Sequence, residues 1–196
     1  MSLRVPDHAI DPLFLERWSP RAFDASELPD ADLMRIFEAA RWAPSAFNSQ
    51  PWRLLYAKRG DADWEGFLGL LIPFNQSWAH SASVLVFFLS DSTPVTNKAG
   101  EPQASHSHSF DAGSAWMSLA LQATRMGYHA HGMTGVDFDR VRAELGVPER
   151  YRVEAAAAIG RIGDPGILPE YLQAREVPSG RKPVGEFAFR GGWPAQ

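Results

Sequence analysis

The 196-residue chain contains no cysteine. That absence removes disulfide scaffolds, thiolate metal sites, cysteine nucleophiles and redox dithiols together, so any electron transfer must run through a bound cofactor. It also suits a reducing compartment. No apolar run approaches the roughly 18 residues of a membrane span. The strongest, residues 84–89, has the length of a strand. The start MSLRVPDHAI lacks the basic onset and apolar core of a secretory signal, which leads us to expect a cytoplasmic protein. Basic charge is not in surplus either: 19 Lys and Arg stand against 23 Asp and Glu, a net charge of −4. This argues against nucleic acid or an anionic membrane as partner, since phosphate contacts need a basic surface. A dinucleotide fingerprint is missing as well. Gly160-Arg161-Ile162-Gly163 has the wrong spacing, and no helix follows it at once.

What is present describes an ordinary globular chain, 45% hydrophobic and 21% charged. Its length fits one domain over residues 1–196, or one whose core a partner chain completes. Apolar spacing predicts helices over 7–17, 29–42, 62–71, about 110–126, and 137–145. Pro44 stops the second and Pro73 the third, because proline disfavours helix in the residue before it. Strands are expected over 52–57, 83–89, 128–133 and 154–159. The run SVLVFFL at 83–89 is too uniformly apolar for a surface position and belongs in the middle of a sheet. EAAAAI at 154–159 has alanines that favour helix, but its length and the glycines after it favour a buried strand. Residues 92–107 read as a long loop, a candidate lid over a substrate. The tail from Pro178, rich in Pro, Gly and Arg, needs something to pack on, and a neighbouring subunit is the natural candidate.

Two segments carry chemistry. In Arg17-Trp18-Ser19-Pro20-Arg21, two guanidinium groups and a hydroxyl in non-helical backbone either converge on one anionic ligand or form a solvated helix end. In Ala43-Pro44-Ser45-Ala46-Phe47-Asn48-Ser49-Gln50-Pro51-Trp52, two prolines bracket a polar loop, either a ligand-facing turn or a plain helix-to-strand connection. Taken in this order and spacing, the two resemble the FMN-dependent nitroreductase family (the nitro/flavin reductase superfamily). Further stretches fit: Phe74-Asn75 ahead of the apolar strand, Asp111-Ala112-Gly113 opening a long helix to Met126-Gly127, Met133-Thr134-Gly135, and Pro178-Ser179-Gly180-Arg181-Lys182-Pro183. The resemblance covers roughly residues 12–190.

The resemblance implies an α+β, nitroreductase-like fold, with a central, mostly antiparallel sheet flanked by helices. It also implies an intertwined homodimer that exchanges C-terminal tails. By similarity, Arg17, Trp18 and Ser19 meet the phosphate and ribityl end of FMN, and Arg181 joins them. A phosphate monoester suits planar guanidinium groups, which give directed, charge-assisted hydrogen bonds. Arg21 is expected near flavin N1 and O2, where a fixed cation favours the reduced form. Asn75 is expected at the O4 and N3 edge. Gly113 lets the central helix come close, while Met133, Thr134 and Gly135 line the ring. Pro44, Ser45, Ala46 and Asn48 match positions that reach the flavin of the other subunit. Phe47, Trp116 and Met117 fall on the substrate side. The implied reaction is ping-pong, with NAD(P)H as co-substrate and a nitroaromatic, quinone or similar small molecule as acceptor. No protein nucleophile is required. Relatives differ at Trp18, Thr134 and Ser179, where basic, acidic and basic side chains respectively are common, so this chain brings fewer charges to the site. Two alternatives stay open: other flavin chemistry on the same fold (dehydrogenation, dehalogenation or a flavin-consuming reaction), or a flavin-binding protein without turnover. No metal is expected, because His106, His108 and Asp111 lack a further ligand. His129 and His131 share one strand face, where packing or solvent exposure is the default reading.

Overall fold

The computed structural model describes residues 4–194. Four strands form one antiparallel sheet in the order β1-β2-β6-β5: β1 (Trp52–Lys58), β2 (Val84–Asp91), β6 (Tyr151–Gly160) and β5 (His129–Met133). Strands β3 (Val95–Thr96) and β4 (Pro102–Gln103) make a separate small hairpin. The uniformly apolar run therefore lies inside the sheet, and every residue of β2 is buried.

Its alternation explains that composition. Leu85, Phe87 and Leu89 enter one core with Trp64, Phe67 and Trp78. Val84, Val86 and Phe88 enter a second core on the opposite face, with Leu33, Ile36 and Leu119. Successive side chains of a strand point to opposite faces, so a strand covered on both sides must be apolar throughout. The first core is roofed by α3 (Trp64–Gly69), α4 (Pro73–Ala79) and α6 (Phe138–Glu144). The second is roofed by α2 (Asp30–Arg41) and α5 (His108–Arg125). Ala112, Ala115, Ala120 and Ala123 of α5 are buried, and such small side chains let a helix approach the sheet and α2 closely. The alanine-rich segment is the strand β6; burial between two helical layers overrides the helical propensity of alanine.

Three expectations need correction. The helix expected over 7–17 is only α1 (Leu13–Glu16). It starts late because the Asp11 carboxylate accepts the Leu13 N–H at 2.9 Å, with Pro12 at the helix entry. Residues before it are irregular: the Arg4 guanidinium donates to the carbonyls of Leu15 (2.8 Å), Arg17 (2.6 Å) and Ser179 (3.0 Å) and ties the segment across the chain. Second, Pro73 does not simply end a helix over 62–71. That helix is the shorter α3, and Pro73 begins α4, where its missing N–H costs nothing. Third, the loop at 92–107 contains the β3–β4 hairpin, and the Ser105 N–H donates to the Ser92 carbonyl at 2.8 Å to close it. Among the described residues no helix is long and apolar enough to cross a membrane.

Candidate active site

A cavity of about 1120 Å³ opens beside the sheet edge at β5, between α5, α1, the N-terminal segment and the tail. Arg17, Ser19 and Arg181, drawn from opposite ends of the chain, share its wall with Arg4 and Lys182. Arg17 is half-buried, and its guanidinium is held below its ordinary pKa, first by burial and then by the like charges of Arg4 and Arg181. No ion pair to a carboxylate offsets Arg17 among the described residues. Like charges this close destabilise one another, and a bound anion offsets that cost.

Much of the remaining wall is apolar. Trp116 of α5 lies on Gly132 of β5, where a Cβ would strike the indole at 2.9 Å, and meets the Phe88 ring edge-on at 5.5 Å. Gly132 is thus an unforeseen determinant of the wall: only a residue without a side chain lets the indole lie down. Gly113 also lines the cavity. A Cβ there would meet nothing within 4 Å, so its missing side chain leaves cavity space open beside the helix. Met117, Met133 and Thr134 complete this part of the wall.

Beyond Thr134, Gly135 sits against α4. The Asn75 amide donates to the Gly135 carbonyl at 3.0 Å, and a Cβ at Gly135 would collide with Asn75 and Ile72. Arg21 is held by a residue that sequence reasoning missed, Glu176. One oxygen of this buried carboxylate accepts the Arg21 and Ala22 backbone N–H groups at 2.6 and 2.8 Å, and the other lies 3.8 Å from Arg21 Nη1. Arg21 Nε is buried without a hydrogen-bond partner among the described residues. Neighbouring His131 accepts no charge easily. Its ring stacks at 4.6 Å from Trp78, Nδ1 lies 2.8 Å from the Pro20 carbonyl, and burial pushes its pKa down to about 4. His129 is also pushed down, by burial and then by Arg17. Trp18 packs edge-on against the His129 ring at 6.2 Å. The shared-face histidines are therefore packing residues behind the site.

The expected residues thus fall into three groups. Arg17, Ser19, Gly113, Trp116, Met117, Met133, Thr134 and Arg181 line one cavity. Trp18, Arg21, Asn75 and Gly135 stand behind or beside that wall. Pro44, Ser45, Ala46, Phe47 and Asn48 do not line it. Phe47 is 94% exposed, and Phe47, Asn48 and Gln50 hold φ of 54°, 52° and 48°. Left-handed backbone at three non-glycine residues is costly and clusters where a loop is shaped for contact. Asp111 fastens the loop by accepting the Ala46 N–H at 3.2 Å. Residues 92–107 contribute nothing to the cavity wall.

The site is thus a cationic recess joined to an apolar stretch, on an antiparallel sheet wrapped by helices. The family model described as "Nitroreductase family" matches residues 15–161, and the chain belongs to that family. It is 33% identical over 149 residues to an uncharacterized 15.4 kDa protein of Mycolicibacterium smegmatis, covering 72% of this chain and 97% of that one. It is 28% identical over 187 residues to a protein named NADH dehydrogenase from Thermus thermophilus, covering 83% and 91% respectively. A solved structure described as an oxidoreductase containing FMN superposes with a TM-score of 0.96 at 49% identity, covering 100% of this chain and 98% of that one.

Proposed function

We propose that the chain is an FMN-dependent NAD(P)H oxidoreductase that reduces small acceptors, nitroaromatics and quinones among them, by a ping-pong mechanism in a homodimer. The carrying observation is the convergence of Arg17, Ser19 and Arg181 on one cavity, with no carboxylate paired to Arg17 among the described residues. The FMN in the 49%-identical structure and the NADH dehydrogenase name of the Thermus thermophilus relative support the same reading.

On this reading Arg17, Arg181 and Ser19 hold the phosphate end, and Arg21, which stands beside that wall, is assigned to the pyrimidine edge. Asn75 and Gly135 border that edge, and Met133 and Thr134 lie along the ring. Bound FMN supplies hydride acceptance from NAD(P)H and delivery of the two electrons to the acceptor. For a nitro group the balance is NAD(P)H plus one proton plus R–NO2 giving NAD(P)+, R–NO and water. The protein's part is to place the rings, keep water from the slot with Trp116 and Met117, and stabilise negative charge with Arg21. The exposed loop Pro44–Asn48, with its strained backbone, is assigned to the flavin of the second subunit, where Phe47 meets the substrate.

The test is direct. Purified protein loaded with FMN under anaerobic conditions is expected to bleach with NADH or NADPH and regain its colour on addition of a quinone. A colourless sample that ignores added FMN refutes the reading, and flavin-loaded protein that neither nucleotide bleaches refutes the reductase part. Sedimentation at graded concentrations checks the homodimer.

A further inference from the structure

The cavity has a second polar end that the cofactor assignments leave unused. In the pairing of β2 with β6, Phe88 faces Ala155 and Leu89 faces Val153, so Glu154 is the extra residue of a β-bulge. Val153, Ala156 and Ala158 point into the core beneath α3 and α4, whereas Ala157 and Ile159 point toward α5. Without the bulge, Glu154 would share the face of Ala156 and place a carboxylate among Phe87 and Leu89. A bulge re-aims a side chain, and this one turns Glu154 to the α5 face, where it lines the cavity.

There it is built in. Glu154 Oε1 accepts both the Ser90 hydroxyl at 2.5 Å and the Ser109 hydroxyl at 2.6 Å. Ser90 is fully buried and also meets His108 Nδ1 at 2.7 Å, so the oxygen is fixed from behind. Among the described residues Oε2 has only Arg152 Nε at 3.5 Å, from a side chain 66% exposed, and exposed ion pairs of that kind are weak. His108 Nδ1, 3.8 Å from Oε1, is the other titratable group facing it. One carboxylate oxygen is therefore anchored and the other keeps acceptor capacity.

Position follows from the register. His129, whose ring meets that of Trp18 beside Arg17, lies at one end of β5; Met133 at the other end pairs with Ala156, and Glu154 lies two residues further. Six residue steps are about 20 Å of strand. Glu154, with Arg152 beside its outer oxygen, is thus set apart along the strands from the end of the sheet that Arg17 adjoins.

We infer that Glu154 forms an acceptor subsite that selects substrates carrying an ammonium, amine or hydroxyl donor and disfavours carboxylates. This rests on the proposed flavin site, because the phosphate must occupy the cationic end to leave the acidic end to the acceptor.

The experiment first measures FMN loading and bleaching by NAD(P)H in the native protein and in Glu154→Gln. Reoxidation of reduced protein is then followed with 4-nitrobenzylammonium, 4-nitrobenzyl alcohol and 4-nitrobenzoate, each rate taken relative to the alcohol. The native protein is expected to prefer ammonium to alcohol to carboxylate, with the preference shrinking as salt is raised. Glu154→Gln preserves the serine hydrogen bonds and removes the charge. It is expected to cut the ammonium-to-carboxylate ratio by about tenfold or more, the scale of one charge-assisted contact, and Glu154→Asp to restore part of it. Native protein indifferent to acceptor charge, or a ratio unchanged in Glu154→Gln, overturns the inference while the flavin site stands. Absence of FMN binding overturns both, and the first measurement reveals it. Should Glu154→Gln fail to fold, the native charge ranking and its salt dependence decide the matter alone.

Discussion

Lowering the pH from 7.5 to 5 is expected to destabilise the fold through His131 specifically. Burial against Trp78, with the positive charge of Arg21 adding to it, outweighs the opposing contact of Nδ1 with the Pro20 carbonyl and lowers the folded-state pKa to about 4 from the ordinary 6.5. The folded protein holds the ring neutral while the unfolded chain takes a proton as pH falls below 6.5. Between these pKa values the unfolded state binds more protons, so stability rises with pH. The His131 contribution is complete above pH 6.5 and drains away on the way down to pH 4. A tenfold difference in proton affinity between the two states corresponds to about 1.36 kcal/mol, which makes the loss at pH 5 about 2 kcal/mol and the limit about 3 kcal/mol. Urea unfolding at fixed protein concentration, at half-unit pH intervals, measures it, and His131→Gln removes it. Other groups titrate in the same range, so the informative quantity is the native-minus-variant slope. An identical pH dependence in His131→Gln would show that the ring is not the buried neutral group described here.

Arg17→Ala and Arg181→Ala are each expected to weaken FMN binding by about 1.5–3 kcal/mol, the scale of a charged hydrogen bond, as read by fluorescence titration. Arg21→Ala is expected to lower the flavin reduction potential, and an unchanged potential would place that guanidinium elsewhere. Gly135→Ala must push Cβ into Asn75 and Ile72 and is expected to cost about 1–3 kcal/mol of stability, whereas Gly113→Ala, facing open space, is expected to leave stability nearly unchanged. Glu176→Ala removes the acceptor of two backbone N–H groups and is expected to cost about 2–3 kcal/mol, visible as a lower urea midpoint.

Much was legible from local pattern. The periodicities at 29–42 and 110–126, the all-apolar strand at 83–89 and the strand at 154–159 fix the layers, because amphipathic spacing and burial on two faces are read directly in a chain. The ordered motifs at Arg17, Met133 and Arg181 named the residues that come together in one cavity. Other features depend on contacts distant in sequence. Asp11 and the Arg4 carbonyl contacts shorten the first helix, and no spacing rule sees a guanidinium reaching Ser179. Glu176 meets Arg21 across 155 residues. Gly132 matters only because Trp116 lies on it. Glu154 was visible as the one charge in an alanine run, but its direction was not. A bulge flips a strand's facing, and the bulge arises from pairing with β2, so the sequence alone determined that a carboxylate stands in this strand, and only the tertiary structure decided that it faces the cavity.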